Sequence, residues 1–237
     1  EFTNTPLRSG VNDGKIEAFK RSQYSDKVNF MVVYENSGGH TSEDDFINYV
    51  FTYWLEQYIK HPSYLKVDNK PVIAIWNHEY FAQCSGGDEG NASAFARAEE
   101  MLRAEGFDGA IWITNWNGAD ATKAKSQLAR GYDYVYYYGS GAAIEAQTKA
   151  FETQQKLGVI DGIMSISQGW GADAWGLKPR KTNLTLDEFR RGIEWTKNVY
   201  MPKFDEGSLA SRMILFGNWN EIAEGHVYLP TKLTGFG

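Results

Sequence analysis

Two glutamates, Glu221 and Glu224, stand three positions apart just beyond the apolar run Met213-Ile214-Leu215-Phe216. On a helical turn, residues at i and i+3 share a face, with Cβ atoms roughly 5–6 Å apart. Two carboxyl groups so placed suit glycosidic bond cleavage, in which one protonates the leaving oxygen and the other serves as base or nucleophile. Mutual repulsion and the apolar neighbours Trp219 and Ile222 would hold one of them protonated near neutral pH. The bare spacing also describes an ordinary solvated helix face. It gains meaning from its position at the end of a buried strand.

Polar and aromatic residues gather after most of the other apolar runs as well: Glu35-Asn36, Asn77-His78-Glu79, Asn115-Trp116-Asn117, Tyr138, and Gln168-Gly169-Trp170. From these clusters and the terminal segment we take Glu35, Asn77, Trp116, Tyr138, Trp170, Trp219, Asn220 and His226 as candidate substrate-binding residues. Each has a structural alternative. Glu35 can be the buried partner of a lysine or backbone group, His226 an exposed loop residue, and Trp116 and Trp170 parts of the core. Aromatic residues make up 15% of the chain, with 8 Trp and 14 Tyr, so either the core is rich in rings or several line a cleft. Aromatic faces suit sugars because they cover the apolar C–H patches of a pyranose while polar neighbours meet its hydroxyls. His40, His61 and His78 have no metal-ligand spacing and Cys84 is the one cysteine, so neither a metal site nor a cofactor is expected.

The elements that must position these residues alternate. Strand-like runs cover 29–35, 71–77, 109–115, 132–139, 162–167 and 213–218, mostly continuous rather than alternating, as in parallel strands buried on both faces. Between them lie helical patterns at 44–60, 92–105, 123–130, 142–157 and 186–200, with a shorter one at 14–22 before the first strand. The stripe Phe46, Ile47, Val50, Phe51, Trp54, Leu55 and Tyr58 marks the first long helix, and Ser42 to Asp45 form a capping-box-like start. Strict strand-then-helix order gives an α/β fold with a parallel sheet and right-handed crossovers. No Gly-rich phosphate loop follows an early strand, and a rim of polar and aromatic residues at strand ends is how a barrel builds its site. The expectation is a (β/α)8 TIM-type barrel represented by about six of its βα units: one domain over residues 1–237, truncated at both ends.

A net charge of −6 argues against nucleic acid as the main partner, because that binding depends on Lys and Arg releasing counterions. No apolar run approaches the roughly 18 residues of a membrane span. The chain begins with Glu1, and no export signal decides its location; an extracellular, periplasmic or cell-surface setting is favoured. Asn91-Ala92-Ser93 and Asn183-Leu184-Thr185 match the glycosylation acceptor pattern.

The segment Trp219-Asn220-Glu221, followed by Glu224-Gly225 and then by Tyr228 and Pro230, resembles the signature of the glycoside hydrolase family 99-like proteins. That group includes endo-α-mannosidases and O-antigen-cluster proteins described as glycosyltransferases. The stretch His61 to Ile73, the triplet Tyr34-Glu35-Asn36 and the ending Pro230 to Phe236 are similar as well, so the resemblance spans nearly the whole chain. It implies that Glu224 is the general acid/base. Glu221 would assist attack by the sugar's own 2-hydroxyl, through an anhydro-sugar intermediate and with net retention, without metal. Ile222-Ala223 replaces the more polar or aromatic residues usual between the glutamates, and Val227-Tyr228-Leu229 lacks the acidic residue that many relatives carry just before the proline. The reading is therefore a retaining glycoside hydrolase acting on an α-linked glycan or polysaccharide, with mannose specificity left open. The alternatives are a glycosyltransferase of surface-polysaccharide assembly, which no Asp-x-Asp site supports, and a non-catalytic glycan-binding barrel.

Overall fold

The computed structural model describes residues 2–3, 14–116, 118–138, 143–170, 176, 184–217, 220–221, 226–228 and 235. Contacts divide the chain into two compact units, residues 1–115 with 122–133, and residues 116–121 with 134–237.

In the first unit, β1 (Phe2–Thr3), β2 (Val32–Glu35), β4 (Lys70–Ile75) and β5 (Ile111–Asn115) lie side by side and parallel. Val32 pairs with Ile73 and Val72 with Ile111. Val72, Ile73, Ala74 and Ile75 are all fully buried, as the unbroken apolar run requires of a strand covered on both faces. β3 (Lys66–Val67) folds back antiparallel on β4 through Asp68 and Asn69, both at positive φ (50° and 58°). Two left-handed residues in a two-residue loop match the twist of a hairpin. β1 was not expected; two residues carry no periodicity to read.

The first long helix runs over 43–59 with π-type turns at Phe46–Phe51 and Leu55–Ile59. Ser42 caps it by accepting from Asp45 N (3.1 Å), while Asp45 reaches back to Thr41 N (2.8 Å) rather than to Ser42. All seven residues of its predicted stripe are buried. A helix at His78–Ser85, absent from the sequence reading, precedes the helix Asp88–Ala104. The core between helices and strands is built from rings. Phe95 stacks on Trp112 (centroids 3.9 Å apart, planes 1° apart), and Phe46 meets Trp54 and Phe81 edge-on. A large share of the aromatic surplus is therefore core.

In the second unit, β6 (Tyr134–Tyr136) pairs in parallel with β7 (Asp161–Ile163), and β8 (Ser165–Ser167) in parallel with β9 (Leu215–Gly217). The single run expected at 162–167 is thus two strands separated by the buried Met164, each half pairing with a different neighbour. The helix Ile144–Leu157 ends at Gly158 in the left-handed region (φ 60°). The helix Leu186–Trp195 opens with both arms of a Thr185/Glu188 capping box and continues as a π turn to Tyr200. Gly192 lets this helix close on its neighbour: a Cβ there would lie 2.5 Å from Ile144 Cδ1.

Replacing Phe95 by Ala removes half of the stacked pair from a site 3% exposed. It should cost about 3–5 kcal/mol of unfolding free energy. Leu186→Ser, at a position 74% exposed, should stay within about 0.5 kcal/mol of the parent. Urea denaturation of the two variants checks both.

Candidate functional site

The expected site residues follow the carboxyl ends of strands, and the structure shows what holds those ends. In the first unit, β2 ends at Glu35 and the fully buried Asn36 follows. The Asn36 carboxamide pairs with the backbone of one residue beyond β4: Nδ2 donates to Asn77 O (2.9 Å), and Asn77 N donates to Oδ1 (3.0 Å). Such reciprocal amide pairing satisfies a donor and an acceptor that the strand ladder no longer reaches. Asn77, expected to bind substrate, uses its own side-chain oxygen to cap the helix His78–Ser85, accepting from Tyr80 N (3.0 Å). Glu35 is half-buried and accepts from Ser37 Oγ (2.5 Å).

His78 is held by Arg130, whose guanidinium donates to Nδ1 (2.6 Å) and is itself bound to Asp88 (2.8 Å). Because a guanidinium can only donate, Nδ1 is the ring's acceptor and Nε2 carries the hydrogen; the Gln127 carboxamide, 3.1 Å away, accepts it with its oxygen turned to the ring, an orientation that also satisfies the otherwise unpartnered Oε1. Burial, with Arg130 adding to it, lowers the His78 pKa to about 4. In the core of the same unit, His40 lies between Tyr34 (3.2 Å) and Ser85 (3.4 Å), and burial lowers its pKa to about 4 as well. Asn91, the first glycosylation-pattern asparagine, is fully buried and donates to Arg130 O (3.1 Å), so it offers no acceptor in the folded chain.

In the second unit a second carboxamide repeats the pairing. Gln147 Nε2 donates to Ser167 O (2.9 Å) and Ser167 N donates to Gln147 Oε1 (2.9 Å), fixing the end of β8 to the helix Ile144–Leu157. Ser165 Oγ accepts from Tyr137 N (3.1 Å). Trp116 is 2% exposed, its ring edge-on to Tyr137 and Phe151, so it presents no open face for stacking. Tyr138 and Trp170 are half-buried. Tyr228 packs against Phe189 and Phe216, and its hydroxyl donates to Ile166 O (3.2 Å), which returns the segment beyond β9 to the β8 edge.

The expected helical turn around Glu221 is replaced by a hairpin. Asn220–Glu221 (β10) pairs antiparallel with His226–Val227 (β11), Glu221 opposite His226. A single helical turn is a costly nucleus with few internal bonds, whereas the hairpin pairs these backbone groups directly. The one-face argument at i and i+3 therefore does not apply to Glu221. Trp219 and Glu224 lie outside the described residues, as do the side chains of Asn220, Glu221 and His226. Among the described residues, no group of His, Cys, Asp and Glu is arranged to hold a metal ion, and no helix is long and apolar enough to cross a membrane. The amide pairs went unrecognised in the sequence, because Asn36 and Asn77 are 41 residues apart and Gln147 and Ser167 are 20.

No family model and no curated protein matches the chain. Among solved structures it is similar to the GH99 endo-alpha-mannosidase from Bacteroides thetaiotaomicron, with a TM-score of 0.64 and 14% identity over 97% of this chain. A second structure of that enzyme, in complex with bis-tris-propane, gives a TM-score of 0.55 and 15% identity over 88% of the chain. The shared fold is the (β/α) barrel. The chain spans about 63% of the length of the first structure and 62% of the second. At these identities the likeness establishes the fold, and the parallel strand–helix order read from the sequence agrees with it.

Two outcomes are expected. Asn36→Ala strands a backbone N–H and C=O and should cost about 2–3 kcal/mol, more than the roughly 1 kcal/mol for the lost cap in Asn77→Ala; urea titrations give the order. His40 and His78, neutral when folded, ionise only near pH 4, whereas in the unfolded chain they ionise near 6.5. Their stabilisation is complete above pH 6.5 and is lost as pH falls towards 4. Tm should fall across that window and recover on back-titration.

Proposed function

We propose that this chain is a carbohydrate-active (β/α) barrel whose reaction is retaining hydrolysis of an α-linked glycan, with Glu221 and Glu224 as the reacting carboxyl groups. The observation that carries the reading is the structural likeness over 97% of the chain to an endo-alpha-mannosidase, together with the segment Trp219-Asn220-Glu221 to Glu224-Gly225 directly after β9. Strand β9 is parallel to β8, so both glutamates follow its carboxyl end, where barrels of this kind assemble their sites. Two glutamates at a strand end supply the acid and the base that acetal cleavage needs.

In the first step, on a sugar whose 2-hydroxyl lies trans to the glycosidic oxygen (as in an α-manno configuration), Glu221 takes the proton of that hydroxyl as its oxygen attacks the anomeric carbon. Glu224 protonates the departing glycosidic oxygen. In the second step the Glu224 carboxylate deprotonates water, which opens the anhydro sugar at the anomeric carbon. The 2-oxygen recovers its proton from Glu221. Two inversions leave the anomeric configuration retained, and no metal takes part.

Glu221→Gln and Glu224→Gln should each lower turnover of an α-linked oligosaccharide by at least about 10³-fold, while circular dichroism and Tm stay near parent values. Restoration by azide of activity on an activated aryl glycoside is expected for neither variant, because no glycosyl ester forms on the protein. Unchanged hydrolysis in either variant refutes the assignment.

A further inference from the structure

Within the first unit, the strand ladder fixes which way each strand-end side chain projects. The Tyr34 ring meets Phe46 and Trp54, and the Trp112 ring meets Phe51 and Phe95. Both rings therefore lie on the face of the sheet that the helices cover. Tyr34 is level with Ile75, and Ile75 with Thr114. Side chains alternate across a strand, so the next residue of each, Glu35, Trp76 and Asn115, projects from the opposite face. Trp76 N donates to Tyr34 O (2.9 Å), which carries the ladder one residue beyond β4 and sets Trp76 beside Glu35. One level below on this face stand Val33, Ala74 and Ile113, of which Ala74 and Ile113 are fully buried. At its carboxyl edge the inner face thus changes from aliphatic to carboxylate, indole and carboxamide. That edge is where a barrel receives its ligand.

The chemistry of the two central side chains narrows what fits. Glu35 is half-buried, and among the described residues Ser37 Oγ donates to its Oε1 (2.5 Å) while no Lys, Arg or His pairs with it. The lysine partner weighed in the sequence is therefore not there. A partly desolvated carboxylate without a cation gains from further donors, and it can only accept. Trp76, half-buried beside it, is a residue that the sequence reading passed over. An indole next to an acceptor suits a ring with apolar C–H faces and a rim of hydroxyl donors.

We infer that Trp76 and Glu35 together bind one pyranose residue, the indole lying against its C–H face and the Ser37-held carboxylate accepting from its hydroxyls. The inference rests on the reading that the chain handles glycan, and it adds Trp76 to the residues that touch that glycan. The test uses the full chain and a panel of methyl α-hexopyranosides with gluco, manno and galacto configurations. Affinity is measured by saturation-transfer NMR. Contact is followed through the indole N–H signal of Trp76 in isotope-labelled protein, assigned by its loss in Trp76→Phe.

The parent should bind at least one glycoside saturably at millimolar concentration, with the Trp76 indole signal moving along the same saturation curve. Trp76→Leu and Glu35→Gln should each weaken binding by at least about 10-fold, with circular dichroism unchanged. If Trp76→Leu fails to fold, the indole signal of the parent and Glu35→Gln decide. The inference is overturned if no glycoside binds the parent, or if the indole signal stays fixed while a glycoside saturates the protein. Unchanged affinity in either folded variant overturns it too, as does triethanolamine binding where no glycoside does. Trp76-dependent binding by a protein that hydrolyses no α-linked glycan would support the inference and sink the hydrolase reading. Hydrolysis with an unaltered KM in both folded variants would do the reverse.

Discussion

A parallel strand ends with backbone donors and acceptors that its ladder no longer pairs, and in this protein buried carboxamides take over that pairing. Asn36 binds both the N–H and the C=O of Asn77, and Gln147 binds both groups of Ser167. Each pair imitates one rung of a sheet, supplied by a side chain from a distant part of the sequence. The loops that leave these ends begin from fixed backbone, a precondition for placing reacting groups to within a fraction of an ångström. Leaving either backbone pair unsatisfied would cost more than the pairing gains, because orphaned buried groups bear the whole desolvation penalty.

Behind the strand ends the ring-rich core provides rigidity of a different kind. Trp112 and Phe95 stack face to face, and Tyr34, Phe46, Trp54 and Phe81 interlock at steep angles. Large flat side chains lose little rotamer freedom on burial and resist small displacements. Into this core the fold sets two neutral histidines, His40 and His78, each held on both ring nitrogens. Both stay neutral down to about pH 4, so neither brings a charge into the core near neutral pH.

The strand–helix order was legible because buried parallel strands leave unbroken apolar runs, as at Val72 to Ile75, and amphipathic helices leave stripes, as at Phe46 to Tyr58. The Thr185/Glu188 box announced its helix outright. What the sequence hid was short or non-local. Two-residue strands such as Phe2–Thr3 and Asn220–Glu221 have no period to detect. Asn77 read as a ligand-binding residue, although an asparagine ahead of Tyr80-Phe81-Ala82 is also a cap signal, and capping is its role in the structure. Trp116 read equally as a cleft wall or as part of the core, and the structure buries its ring.

The barrel fold is shared with an endo-alpha-mannosidase, and the proposed reaction on it is acid–base catalysis through the sugar's own 2-hydroxyl. Its stereochemical consequence can be read in one spectrum. Proton NMR of the parent protein digesting an α-linked oligosaccharide, recorded before mutarotation, should show the α-anomer of the new reducing end appearing first. First appearance of the β-anomer, or no new reducing end from any α-linked glycan offered, would contradict it.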